Sequence, residues 1–115
     1  MWTWVHYIAS KAARGEYFEC LDALGFIRAR VLAPMMQVKN KIIAKGLRKV
    51  ETSLGAADLK DLESTIPEYN KASILQALDN TINNYRMLRK ELFIDKVELQ
   101  ELAEKRAIEY LKKVK

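Results

Sequence analysis

An apolar stripe between positions 75 and 92 constrains the fold of this chain more than any other feature of its sequence. The residues of the stripe are Leu75, Leu78, Ile82, Tyr85 and Leu92. They recur at intervals close to 3.5 residues, which is the spacing of one face of an α-helix. Pro67 precedes this segment, and the helix is predicted to begin at Asn70 or Lys71. We expect the stripe to form core rather than a coiled-coil dimer seam, because a chain of this size needs it for its own interior.

The same helical period extends over the N-terminal third of the chain. The first predicted helix ends near Arg14 and Gly15, and its apolar face comprises Trp4, Val5, Ile8, Ala9 and Ala12. Gly15 suits the position just after a helix, where the backbone turns left-handed. A second helix is predicted from about Glu16 to Ala33, with a stop or kink at Pro34.

The remaining sequence indicates shorter helices. A loop followed by a short helix is expected within 35–54, a further helix over about 57–65, and a last one over about 95–113. Asp95 is a candidate N-cap for that last helix, with Glu98 as its capping-box partner. Four glycines and two prolines leave little turn material for a many-stranded protein. The prediction is an all-α fold, an antiparallel bundle of four to five helices, forming a single helical domain over 1–115.

Composition and charge indicate where the protein is located and which kinds of partner it binds. No apolar run approaches the roughly 20 residues that span a bilayer, and the N-terminus lacks the pattern of a secretory signal. A single cysteine, Cys20, is typical of a reducing compartment, so a cytoplasmic location with no membrane partner is expected. The net charge of +5 includes a run without acids, Lys39–Lys49. That run invites an acidic or nucleic-acid partner without proving one.

Arg28 interrupts the apolar arc of the second helix. An arginine is rarely buried without a partner, because removing its charge from water is costly. We therefore expect Arg28 either to meet an acid from another helix or to line a polar pocket, and a structural ion pair is the favoured alternative.

Glu16 and Glu19 follow Gly15 at the start of the second helix. Two interpretations remain open for them. Acids in a first turn complement the helix dipole, which requires no ligand. Alternatively, the two carboxylates form one wall of a polar cleft, and Arg14 meets a phosphate or one of these acids.

The sequence contains few residues in patterns that are typical of a catalytic or metal site. His6 lies among aromatic residues and is interpreted as a packing or interfacial side chain. Acidic neighbours should raise the pKa of Cys20 and weaken it as a nucleophile. Metal-ligand spacings and glycine-rich phosphate loops are missing from the sequence, so an enzyme active on its own is not expected.

The segment WVHYIASKAARGEYFECLDALGFIRARVLAP (4–34) resembles the C-terminal helical domain of bacterial nucleotidyltransferases of the aminoglycoside and kanamycin group. The stretches GLRKVE (46–51), LEST (62–65) and ALDNTINNYRMLR (77–89) add to the resemblance, which covers roughly residues 2–92. In that family an N-terminal domain carries a Gly-Ser loop and paired aspartates that hold magnesium and the nucleoside triphosphate. Neither is found in this sequence.

The resemblance implies an acceptor-binding role in nucleotidyl transfer, with the metal-binding half supplied by a catalytic domain or a separate subunit. Magnesium and a nucleoside triphosphate are expected only there. A helical-domain carboxylate serves as general base in the kanamycin enzyme, which makes Glu16 or Glu19 the candidate base. The implied substrate-binding residues are Arg14, Glu16, Glu19 and Arg28, the acceptor is a small molecule such as an aminoglycoside, and a homodimer is an open option.

The alternative is a non-catalytic interaction module related to the HEPN helical domains, pairing with a nucleotidyltransferase or with RNA. The ribonuclease signature of those domains places an arginine a few residues before a histidine, and no arginine precedes His6. Ribonuclease activity is therefore not expected, and nucleic acid is the less favoured partner. In this interpretation Trp2, Trp4 and Tyr7 are exposed and dock onto a partner chain, while Lys39–Lys49 meets acidic groups or RNA.

Overall fold

A computed structural model describes residues 2–43, 46–92 and 107–114 of the chain. Most of these residues are helical and none of them forms a β-strand, which confirms the predicted all-α class. Residues 107–114 are also helical. The named elements are α1 (Trp2–Ala13), α2 (Tyr17–Ile27), a π-helical turn (Arg28–Leu32), α3 (Ala33–Lys39), α4 (Val50–Ser53), α5 (Ala56–Glu63) and α6 (Lys71–Leu92).

Helix α6 is the centre of the fold. It contacts α1, α2, α3, α5 and the π-helical turn. Leu75, Leu78 and Ile82 from the predicted stripe are buried, and Tyr85 is partly buried against the same core. The stripe is therefore core, as the sequence predicts. Its burial stabilises the fold by about 1.5–3 kcal/mol for each large side chain removed from water.

The start of α6 is set by a side-chain cap. The Asn70 side-chain oxygen accepts a hydrogen bond of 2.8 Å from the backbone N–H of Ser73, three residues later. The Ser73 hydroxyl in turn accepts one from the backbone N–H of Glu68, also at 2.8 Å. The bond to Asn70 satisfies a donor that the N-terminus of α6 leaves unpaired, which confirms the predicted beginning at Asn70 or Lys71.

Gly15 ends α1 as expected. Its φ is +77°, in the left-handed region that favours glycine. The N–H of Gly15 donates to the carbonyl of Ala12 at 3.1 Å, and the N–H of Glu16 donates to the carbonyl of Lys11 at 2.9 Å. This pair of bonds is a Schellman motif, and it turns the chain directly into α2.

Pro34 does not stop the second helix. The chain stays helical from Tyr17 to Lys39 by way of the π-helical turn Arg28–Leu32, which ends two residues before Pro34. Within it the N–H of Ala33 donates to the carbonyl of Arg28, five residues earlier. A proline ring clashes with the carbonyl four residues before it in a regular α-helix, and the wider turn relieves that clash. Of the two sequence predictions, the stop is wrong and a local distortion takes its place.

A polar anchor fixes α5 to α3. The buried carboxylate of Asp58 accepts hydrogen bonds from Lys39 Nζ at 2.9 Å and from Asn40 Nδ2 at 2.8 Å. Burial alone would raise the pKa of Asp58, but these two donors outweigh it and lower the pKa. Lys39 also lies 3.6 Å from Glu91 at the end of α6, so three helices meet at this ammonium group.

The C-terminal residues described by the structure pack against α1. Ala107 and Leu111 are buried in the core, and the ring of Tyr110 stacks on His6 at a centroid distance of 4.1 Å. His6 is thus a packing residue at the surface, in agreement with its sequence interpretation. The predicted N-cap Asp95 and its partner Glu98 lie outside the described residues.

Trp2 is buried, with only 6% of its surface exposed. Its ring meets Tyr85 of α6 edge to face, with centroids 5.6 Å apart. The prediction that Trp2 is an exposed docking residue is therefore wrong, because α6 covers this face of α1. Trp4 is partly buried, and Tyr7 is 37% exposed.

Candidate functional site

The first two helices form an antiparallel pair that frames a surface groove. Trp4, early in α1, contacts Phe26 late in α2, while Tyr7, later in α1, contacts Glu19 near the start of α2. The tight turn at Gly15 imposes this arrangement. The groove has a volume of about 320 Å³ and is lined by Trp4, Tyr7, Phe18, Glu19, Asp22, Ala23 and Phe26. That size is sufficient for a small organic molecule.

Aromatic rings form the walls of the groove. Trp4 lies 5.0 Å from Phe26 and 5.7 Å from Tyr7 between ring centroids, so α1 and α2 are joined by one continuous aromatic surface. Phe18 is 76% exposed and also contacts Tyr69, at 5.0 Å. An aromatic side chain this exposed to water contributes little to the stability of the fold, so the ring of Phe18 is accessible at the edge of the groove.

Lys11 organises the carboxylates beside the groove. Its ammonium nitrogen lies 3.2 Å from Glu19 Oε2 and 3.3 Å from Glu16 Oε2. The hydroxyl of Tyr7 donates a hydrogen bond to Glu19 Oε1 at 3.1 Å. Both oxygens of Glu19 are therefore held, and its carboxylate is fixed at the edge of the groove.

The same contacts make Glu19 a weak base. Hydrogen bonds from Lys11 first, and from Tyr7 second, lower the pKa of Glu19. A general base works best when its pKa lies near the working pH, so contacts that lower the pKa of Glu19 make it less suited to that role. The geometry accordingly suits Glu19 to holding a positive charge rather than to accepting a proton.

Glu16 and Arg14 stand beside the groove rather than in it. Glu16 occupies the N-cap position of α2 but makes no side-chain capping hydrogen bond. Its carboxylate faces Lys11 and, at 3.9 Å, the guanidinium of Arg14. Arg14, Glu16 and Glu19 are thus brought together around one lysine, as a mixed-charge cluster of which only Glu19 lines the groove.

Arg28 belongs to a different part of the molecule. Its Nε donates to the hydroxyl of Thr65 and its Nη2 to the carbonyl of Thr65, both at 2.8 Å. Burial lowers the pKa of Arg28. Among the described residues, the expected acid partner is replaced by a threonine, because the end of α5 presents a hydroxyl and an unpaired carbonyl where the guanidinium arrives. Arg28 does not line the groove.

Three groove residues were not singled out by the sequence as a site: Phe18, Asp22 and Phe26. Their spacing of four residues places them in one row along α2, next to Glu19. The signal that could have identified them is a row on one surface face of a helix that contains an aromatic residue, an acid and a second aromatic residue.

Cys20 is buried and its thiol lies 3.5 Å from the carbonyl of Ile8. Burial, assisted by Glu19 and Glu16, raises the pKa of Cys20 to about 11. The raised pKa agrees with the sequence prediction, although burial rather than charge is the larger cause. This thiol is a packing group in the α1–α2 interface.

Cys20 is therefore expected to resist alkylation in the folded protein. At pH 8 a thiol with this pKa is about 0.1% thiolate, so its reaction with iodoacetamide should be about a hundredfold slower than that of a free cysteine. Quantifying the labelled fraction by mass spectrometry, with and without denaturant, tests this. Equal rates in the two conditions would contradict the burial of the thiol.

No cluster of three or more potential metal ligands occurs within the described residues. Over the same part of the chain, no helix combines the length and the apolar character needed to cross a membrane. Comparison of the chain with protein-family models, with curated proteins and with solved structures finds no significant match. The geometry of the groove is thus the principal guide to function.

Proposed function

We propose that this chain is the acceptor-binding helical domain of a nucleotidyltransferase, and that the groove between α1 and α2 binds a small cationic acceptor such as an aminoglycoside. The observation that carries the proposal is the joint presence of two carboxylates, Glu19 and Asp22, and an aromatic wall in one groove. The sequence resemblance to the helical domains of nucleotidyltransferases supplies the reaction class.

The chemistry of the groove fits an amine ligand. Ammonium groups form charge-assisted hydrogen bonds with carboxylates, which are about twice as strong as neutral ones. They are also attracted to the faces of aromatic rings, by about 0.5–2 kcal/mol. Glu19 and Asp22 would supply the first kind of contact, while Trp4, Tyr7 and Phe26 would supply the second.

Within this proposal the residues of the chain bind and orient the acceptor. The lowered pKa of Glu19 supports a role in holding an ammonium group, in place of the base role that the resemblance implies for Glu16 or Glu19. Magnesium and the nucleoside triphosphate would be held by the catalytic domain or subunit that completes the enzyme. Arg28, bound to Thr65, is assigned to the structure rather than to the substrate.

The test is a calorimetric titration of the chain with kanamycin and, separately, with an uncharged sugar of similar size. Kanamycin is expected to bind saturably, and the uncharged sugar is expected not to bind. Asp22→Asn and Glu19→Gln should each weaken it about tenfold, because each removes one charge-assisted contact. Glu63→Gln, at an exposed carboxylate of α5 outside the groove, is the matched control and should leave the affinity unchanged.

Two results would contradict the proposal. One is the absence of saturable binding at low ionic strength, and the other is equal weakening by Glu63→Gln and the groove variants, which would indicate charge attraction without a site. Circular dichroism of each variant confirms that the fold is retained.

A second candidate function is a non-catalytic interaction module. The exposure of Phe18 and its neighbour Tyr69, at 76% and 56%, favours it, because paired exposed aromatic rings are typical of protein interfaces. The same titration separates the two functions. An interaction module would bind neither kanamycin nor the neutral sugar.

A further inference from the structure

A continuous aromatic surface extends beyond the groove between α1 and α2. Phe18 lines the groove, and its ring also contacts that of Tyr69, with centroids 5.0 Å apart. Tyr69 in turn meets the ring of Tyr17 edge to face at 5.3 Å. Tyr69 does not line the groove, so Phe18 joins the groove to a second group of rings. We call this group, Tyr17, Phe18 and Tyr69, the aromatic platform.

The platform is held in place although two of its rings are open to water. The residues on either side of Tyr69 are fixed by hydrogen bonds. The N–H of Glu68 donates to the hydroxyl of Ser73 at 2.8 Å, and the N–H of Asn70 donates to the carbonyl of Glu68 at 2.9 Å. Phe18 and Tyr69 are nevertheless 76% and 56% exposed. A surface that is already ordered loses little conformational entropy when a ligand binds to it.

The groove beside the platform is acidic, although the chain as a whole carries a net charge of +5. Its described lining includes two carboxylates, Glu19 and Asp22, and no lysine or arginine. Glu19 is paired with Lys11. Asp22 is exposed and forms no ion pair with any residue that the structure describes. The charge of the groove is therefore complementary to a basic ligand, which Asp22 is free to meet.

The groove row of α2 matches the spacing of an extended peptide. Phe18, Asp22 and Phe26 follow one another at intervals of four residues, which correspond to about 6 Å along a helix. In an extended peptide every second side chain lies on the same side, at intervals of about 6.5–7 Å. Three alternate side chains of one peptide can therefore lie over an aromatic residue, a carboxylate and a second aromatic residue in turn.

We propose that the groove and the platform together bind an extended basic peptide of a partner protein, in which apolar side chains stand two positions before and after a lysine or arginine. The basic side chain would pair with Asp22. One apolar side chain would rest on Phe18 and Tyr69, and the other on the contacting rings of Phe26 and Trp4. The inference rests on the proposed function in one respect, the affinity of the groove for amines, and adds a peptide ligand and a second contact surface.

The charge of the surface argues against the other ligands that exposed rings attract. Bases of single-stranded nucleic acid stack on aromatic rings, but their phosphates would face the carboxylates of Glu19 and Asp22. The headgroups of an anionic lipid bilayer would meet the same repulsion. A peptide supplies apolar groups and positive charge together, and alternate side chains of an extended peptide are a common basis of specific recognition.

Fluorescence anisotropy of dye-labelled peptides tests the proposal. The probe is Trp-Ala-Lys-Ala-Trp with blocked termini, and its matched controls are Trp-Ala-Glu-Ala-Trp and Ala-Ala-Lys-Ala-Ala. The probe is expected to bind saturably to the full chain, about tenfold more tightly than either control. The first control replaces the positive charge that pairs with a carboxylate, and the second lacks the rings that rest on the aromatic surface.

Substitutions in the protein test the two contact surfaces separately. Tyr69→Ser should weaken binding of the probe about fivefold, whereas Tyr69→Phe keeps the ring and should leave it unchanged. Asp22→Asn should weaken binding about tenfold. Met87→Ser is the matched control for an exposed apolar side chain, because Met87 is 57% exposed and lies about 24 Å along α6 from Lys71. It should have no effect.

Kanamycin titrations of the same variants distinguish this inference from the proposed function. Tyr69 does not line the groove, so Tyr69→Ser should leave kanamycin binding unchanged. Binding of kanamycin without binding of the probe peptide would overturn this inference alone. Binding of the probe peptide without binding of kanamycin would overturn the aminoglycoside acceptor alone.

Two further outcomes would overturn the peptide site. One is equal affinity for the lysine and glutamate peptides, which would indicate apolar contact without recognition of charge. The other is dimerisation of the chain in sedimentation that Tyr69→Ser abolishes, which would assign the platform to a contact between two copies of the chain.

Discussion

Arg28→Ala is expected to lower the free energy of unfolding by about 3 kcal/mol. The substitution removes two hydrogen bonds of 2.8 Å from a charged donor to Thr65, each worth roughly 1.5–3 kcal/mol. The buried carbonyl of Thr65 loses its donor and is left unsatisfied. The bonds also join the end of α2 to the end of α5, over 37 residues of sequence, so their loss affects the packing of both helices.

Urea unfolding followed by circular dichroism measures this change. Thr65→Val should cost less, about 1–2 kcal/mol, because the carbonyl bond to Arg28 remains. Arg30→Ala is the matched control, since Arg30 lies two residues further on and is exposed, and its effect should stay within about 0.5 kcal/mol. Similar losses for Arg28→Ala and Arg30→Ala would show that the contact with Thr65 contributes nothing specific.

Leu78→Ala is expected to destabilise the fold by about 3–4 kcal/mol. Leu78 is fully buried in the middle of α6, the helix that most of the other elements contact. Removing its branched side chain forfeits the transfer of that apolar surface from water and leaves a cavity that neighbouring helices cannot fill completely. A loss of this size is a large fraction of the roughly 5–15 kcal/mol by which a typical domain is stable.

The unfolding midpoint in urea provides the measurement. Met87→Ala on the same helix is the control, because Met87 is 57% exposed and its truncation should cost less than about 1 kcal/mol. Comparable losses for the two variants would mean that the apolar stripe is not the centre of the core.

The helices predicted most accurately are those whose limits are set by local chemistry. The period of Leu75, Leu78 and Ile82 identifies α6 because a helix must bury one face, and Asn70 caps it within a single turn. Gly15 likewise ends α1 through a left-handed backbone that glycine adopts readily. In each case the deciding interaction joins residues only a few positions apart, so the sequence contains the information.

The errors have long-range causes. Pro34 is a strong local signal for a helix end, yet the turn Arg28–Leu32 widens and the helix continues, with the widened turn packed against the distant helix α6. Trp2 lies near the chain terminus and resembles an exposed residue until α6, some 80 positions later, covers it. Local sequence cannot show which distant helix lies over a residue.

In the candidate site, too, contacts between residues close in sequence are predicted correctly, and contacts between distant residues are not. The sequence correctly groups Arg14, Glu16 and Glu19, because one turn connects them, but it does not reveal that Lys11 holds both acids. From its positive charge, Arg28 is predicted to pair with an acid. In the structure it donates instead to the hydroxyl and the carbonyl of Thr65. The row Phe18, Asp22 and Phe26 gains meaning only when α1 supplies the opposite wall.

The ammonium group of Lys11 has a consequence for selectivity. It is tethered to the same chain as Glu19, so it competes for that carboxylate at a high effective concentration that no simple monovalent amine in solution can match. A ligand with one positive charge would replace the Lys11 ammonium at Glu19 without any gain in binding free energy. If the groove binds amines as proposed, a ligand that also engages Asp22 and the aromatic rings is expected to displace Lys11 from Glu19, so multiply charged ligands are expected to bind more tightly than singly charged ones.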